Sequence, residues 1–121
     1  MGMPTPQLSS VIHGAQNIYL VQATSAEAGK VSLSIEDIMR GKTQQLTNLT
    51  YEPGYDFKPK SEWILLSTGD LSNGNNIDTG FYGNFAWFPL TVTRENGKVM
   101  ILGIGEKDRF EELLEKNPYK P

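Results

Sequence analysis

A chain of 121 residues is long enough to bury one hydrophobic core, and nothing in it marks a domain boundary. With no cysteine and a single histidine, disulfides, thiol nucleophiles, cysteine-bound zinc and iron–sulfur ligation are excluded, and a His-rich metal site would need ligands from another chain. A net charge of −3 with the eleven Lys and Arg dispersed speaks against a phosphate-binding surface, and no stretch nears the roughly 20 apolar residues of a membrane span.

Met1-Gly2-Met3 reads like a vector-derived start, so a longer natural precursor is expected. Residues 1–7 carry two prolines and no periodicity, a flexible arm. The remainder, 8–121, is expected to be one domain. Leu8–Ala15 predicts a short helical turn opened by Ser9 or Ser10, with Val11 and Ile12 inward.

Asn17–Thr24 is apolar on both faces, Ile18 and Leu20 on one, Tyr19 and Val21 on the other, as in a strand covered on both sides. Ser25–Gly29 predicts the turn of an antiparallel hairpin leading into Val31–Lys42. There Val31, Leu33 and Ile35 alternate with Ser32, Ser34 and Glu36. Ile38 and Met39 break the alternation, and Gly41 closes the run with a residue that tolerates positive φ. Gln44–Thr50 is a polar strand suited to an edge, and Tyr51–Lys60, with Pro53-Gly54 and Pro59, predicts a loop.

Ser61–Thr68 is again apolar on both faces, Trp63 and Leu65 opposite Ile64 and Leu66. Residues 69–80 are a long Gly-, Asn- and Asp-rich loop. In Phe81–Arg94, Ala86, Phe88, Leu90 and Val92 share one face, and Phe85, Trp87, Thr91 and Thr93 the other. Asn96-Gly97 predicts a type I′ turn that returns the chain along Lys98–Ile104. Glu106–Lys116 predicts a helix with acidic start, basic end and the stripe Phe110, Leu113, Leu114; Asn117-Pro118 stops it.

The expected fold is mainly β: a small antiparallel OB-like barrel of five to six strands with a C-terminal helix, since closure removes exposed edges. Four features in order carry a resemblance: the short element and strand of Val11–Val21, the alternating strand ending in Arg40-Gly41, the bulky strand Trp63–Leu66, and the Asn96-Gly97-Lys98 hairpin before a helix. Together they resemble the tissue-inhibitor-of-metalloproteinase-like, or netrin-module-like, OB-fold of bacterial secreted proteins. The resemblance implies a periplasmic or secreted location. It carries over no inhibitory mechanism, because those inhibitors chelate zinc through an N-terminal cysteine that this chain lacks.

His13 finds no GxSxG elbow to serve, and reads as a surface or helix-end histidine. Asp70, Ser72, Asn73, Asn75, Asn76 and Asp78 offer calcium-type oxygens, with Asp70 and Asp78 the candidate metal ligands; no EF-hand glutamate follows, and such loops are ordinarily turns. Glu36 and Asp37 should point to opposite faces of a regular strand, and Glu111 and Glu112 lie on a solvated helix face. Asn48-Leu49-Thr50 matches the N-glycosylation pattern.

Phe81, Tyr82, Asn84, Phe85 and Trp87 are the candidate binding residues, aromatics beside adaptable polar groups. As core residues instead, Phe88 would fill the barrel and Trp87 would pack under the C-terminal helix. Stacking of single-stranded nucleic acid on these rings would need a positive groove, against the acidic balance. The expected function is therefore a non-enzymatic module that binds another protein through loops and aromatics, without a cofactor. The alternative is a carbohydrate- or calcium-handling domain built on Asp70, Asp78 and nearby aromatics.

Overall fold

The computed structural model describes residues 8–51, 54–69, 71 and 87–120. Its elements are α1 (Leu8–Gly14), β1 (Asn17–Glu27), β2 (Lys30–Arg40), β3 (Leu46–Thr50), β4 (Glu62–Ser67), β5 (Trp87–Glu95), β6 (Lys98–Ile101), β7 (Gly105–Glu106) and α2 (Lys107–Lys116). The strands form one antiparallel sheet in the order β3-β2-β1-β4-β5-β6-β7. The expected mainly-β fold with a C-terminal helix is found. Closure is not: among the described residues no ladder joins the outer strands, and the sheet is open.

Two hydrophobic cores explain why the central strands are apolar on both faces. One face carries Tyr19, Val21, Val31, Leu33, Trp63, Leu65 and Trp87. The other carries Ile18, Leu20, Ile64, Leu66 and Val92, covered by Val11 and Ile12 of α1 and Phe110 of α2. Burying apolar surface on both sides lets a sheet of this size stand without closing. Phe88 packs with the helix-side core and Trp87 with the opposite one, the reverse of the expected assignment. The period of two was right, but which side α2 covers is a tertiary choice.

The described residues of the stretch after β3 form the expected loop, and this loop also contributes to the core. Phe57 is buried, with its ring centroid 4.4 Å from that of Trp63, 4.8 Å from Tyr51 and 5.9 Å from Trp87. It plugs the face that the helices leave uncovered.

The first hairpin turn is tighter than expected. Glu27 pairs with Lys30, so the first hairpin turns on Ala28-Gly29 alone, at φ 54° and 77°. The second turns on Asn96-Gly97 at φ 51° and 80°, as Asn-Gly predicts. β6 ends at Ile101 rather than Ile104, because residues 102–104 turn back and Gly105–Glu106 pairs with Met100 and Ile101. β7 consequently takes Glu106 from the expected helix.

Candidate functional site

β2 runs past its neighbour. It pairs with β1 as far as Arg40, yet meets β3 only at Lys30, Val31 and Leu33. Five residues, Gly41–Gln45, bring the chain back, too few to lie antiparallel beside the rest of β2. They cut across the sheet end because side chains of β1 hold them there. Asn17 Oδ1 accepts the Lys42 N–H at 3.0 Å, and the Tyr19 hydroxyl donates to the Lys42 carbonyl.

Gln44 extends the same network. Its Nε2 donates to the Tyr19 hydroxyl at 3.0 Å, with Ser67 Oγ at 3.4 Å and the Gly69 carbonyl at 3.5 Å, and its Oε1 accepts from the Leu71 N–H at 2.6 Å. Asn17 Nδ2 donates to the same Gly69 carbonyl at 3.2 Å. Buried amides and hydroxyls satisfied in this way fix backbone rather than leave a cost. Against this frame lies a cleft of about 470 Å³. Gln16, Lys42, Thr43 and Gln45 line it with exposed side chains that hydrogen-bond to no described residue.

Gly41 is required by this packing. It sits at φ +86°, and a Cβ there would stand 2.1 Å from Asn17 Oδ1 and 2.7 Å from the Gln16 carbonyl oxygen. Gly41→Ala is expected to cost about 2 kcal/mol from positive φ and forced displacement of Asn17. A urea melt checks this, and an unchanged midpoint would refute the close approach.

A second cluster lies on the helix-covered face. Arg94 grips Glu62 with two bonds, Nε to Oε1 at 2.8 Å and Nη2 to Oε2 at 2.7 Å, while Glu36 Oε2 stands 3.9 Å from Nη2. Lys107 Nζ donates to Asp37 Oδ2 at 2.6 Å. Glu36 and Asp37 thus reach cations on one face, against the expectation of opposite faces. The reason is a bulge: Ile35 and Asp37 oppose the adjacent residues Val21 and Leu20, leaving Glu36 as the extra residue.

Burial, with the Glu62 carboxylate beside it, pushes Glu36 above its ordinary pKa, whereas hydrogen bonds from Arg94 hold Glu62 below its own. The stability effects have opposite signs. Glu62 stabilises the fold above the carboxylate range and loses this as the pH falls through its folded pKa. Deprotonated Glu36 weakens the fold at neutral pH, a penalty removed on acidification. Glu62→Gln should therefore destabilise and Glu36→Gln stabilise at about pH 7, each by up to about 1 kcal/mol, and both differences should be smaller at about pH 3 than at about pH 7. Urea midpoints at the two pH values decide it.

Of the residues singled out by sequence, Asp70, Asp78, Phe81, Tyr82, Asn84 and Phe85 lie outside the described residues. Trp87 is fully buried against Phe57, so a partner would meet it only by opening the core. His13 lies in the last turn of α1, where its Nδ1 bonds the Pro118 carbonyl at 2.8 Å. A carbonyl only accepts, so Nδ1 carries the proton. Asn48 is exposed on β3 at φ 54°. No three His, Asp or Glu side chains converge as metal ligands among the described residues. No described helix is long and apolar enough to cross a membrane.

The cleft residues carry no signal a sequence reading would catch. Gln16, Thr43 and Gln45 are ordinary polar residues until Asn17, Tyr19 and Gln44 draw the connection across the sheet end. No protein-family model, curated protein or solved structure matches this chain.

Proposed function

We propose that the chain is a non-enzymatic binding module that engages another protein through the loops at one end of an OB-like, partly open sheet. The observation that carries this is the cleft beside Gly41–Gln45. Its frame is pinned by Asn17, Tyr19 and Gln44, while Gln16, Lys42, Thr43 and Gln45 keep their polar groups for a ligand. A rigid base with uncommitted side chains lowers the ordering cost of binding. The serial arrangement of β3-β2-β1-β4-β5 around the core of Tyr19, Trp63 and Trp87 supports the OB-like reading, as such barrels are themselves partly open. A periplasmic or secreted location belongs to the same proposal and rests on the resemblance of the Arg40-Gly41 and Asn96–Lys98 motifs.

Pull-down from envelope and cytosolic fractions tests it, with wild type, Thr43→Ala/Gln45→Ala and Tyr82→Ser/Phe85→Ser as baits. One protein retained by wild type and lost by the first variant supports the cleft; loss only with the second moves the surface to the aromatics. Retention by every bait overturns both. The carbohydrate or calcium alternative predicts a rise in melting temperature with sugar or calcium, by mass action.

A further inference from the structure

Beyond Leu33, β2 keeps its inner ladder to β1 but has no outer one among the described residues. Its pairs with β3 end at Leu33, and no backbone hydrogen bond outside the ladders engages residues 35–40 among those described. Roughly half the N–H and C=O groups of an edge strand point outward, a ready template for another extended chain. Ile38 adds a side chain 43% exposed on this stretch, whereas Leu33 and Val31, covered by β3, are buried. The edge leads through Arg40 directly into the cleft at Gly41–Gln45.

We infer that the outer edge of β2 from Ile35 to Arg40 is a docking site where an extended segment of a partner protein adds as a strand, its end entering the cleft. This rests on the protein-binding reading and names its mode. Only another extended backbone matches these outward donors and acceptors, and it must follow the bulges that leave Glu36 and Met39 without a partner on β1. A second copy is the poorer occupant. Two-fold antiparallel pairing of these edges would set Glu36 and Asp37 near the same pair of the other copy, and like charges across a ladder repel. The partner segment therefore carries an apolar residue toward Ile38 and a Lys or Arg toward Glu36, which stands 3.9 Å from Arg94, whereas Asp37 is already bound by Lys107. These carboxylates keep partial exposure beside Arg94 and Lys107.

The test pans a displayed library of random decapeptides against the full chain. Enriched peptides should pair apolar with basic residues, and should slow amide exchange at 35–40 by about tenfold or more, as an added strand does. Methylating alternate backbone nitrogens of such a peptide should weaken binding by about tenfold or more, because it removes ladder donors. Ile38→Lys, an edge-blocking change at an exposed position, should weaken binding similarly with the melting temperature unchanged.

An absence of enriched peptides, or binding indifferent to N-methylation, overturns the inference. Binders that protect only residues 41–45 overturn it while leaving the cleft reading intact. Binders that protect 35–40, with a pull-down indifferent to Thr43→Ala/Gln45→Ala, uphold the edge and remove the cleft. Concentration-dependent dimers abolished by Ile38→Lys assign the edge to a second copy and overturn the partner segment.

Discussion

Arg40→Met is expected to lower stability by about 3 kcal/mol, because it removes charge-assisted hydrogen bonds from four backbone carbonyls at once. Nη1 donates to the Ile12 and Ala15 carbonyls at 2.7 and 3.1 Å, and Nη2 to those of Leu114 and Asn117 at 3.2 and 2.7 Å. These lie at or just beyond the C-termini of α1 and α2, where the helix dipole favours a cation; the Ile12 and Leu114 carbonyls also accept from the Ala15 and Asn117 N–H groups. Burial lowers the pKa of this guanidinium from its ordinary value, but Arg stays charged in proteins. One side chain of β2 therefore fastens both helices to the sheet. Thermal melting should drop by about 10 °C for a domain of this size. Amide exchange should quicken in α1 and α2 before β1 and β4. Uniform quickening throughout would show that Arg40 does not act on the helices specifically, and an unchanged melt would remove the clamp altogether.

Trp87→Ala should cost about 3–5 kcal/mol, the range for deleting a large aromatic from a core. Trp87 is fully buried at the start of β5, opposite Ser67, with Phe57 at its ring. Its loss would open space shared with Phe57 and Trp63, which the loop of residues 54–61 could refill only by moving. Trp87→Phe keeps part of the volume and should cost less than half as much. Denaturant melts of the two variants give the order. A Trp87→Ala protein with unchanged stability and lost partner binding would instead make Trp87 an interaction residue.

The Arg40-Gly41 pair shows how far residue types alone can reach. A positive residue followed by glycine at a strand end is visible in the sequence, and so is the preference of Gly41 for positive φ. What Arg40 donates to is not visible, since its four acceptors come from segments 25 to 77 residues away in the chain. The period-two readings of Asn17–Thr24 and Ser61–Thr68 sorted Ile18, Leu20, Ile64 and Leu66 from Tyr19, Val21, Trp63 and Leu65, because alternation is a local property of an extended backbone. The bulge at Glu36 escaped that rule. A bulge is a mismatch in length between two strands, and one strand read alone does not contain it.

By itself the sequence determined the two-faced central strands, the Asn96-Gly97 turn, the amphipathic C-terminal helix and the exclusion of cysteine chemistry. Each follows from neighbours in the chain or from composition. Tertiary structure decided that the sheet stays open, that Phe57 plugs one face while α2 takes the other, and that Gly41–Gln45 crosses the sheet end. These depend on Asn17, Tyr19 and Gln44 meeting backbone groups 23 to 27 residues away. The edge of β2 that is unpaired among the described residues follows from that crossing. A strand loses its neighbour where the returning chain is held elsewhere, and a propensity read residue by residue does not include where distant side chains hold it.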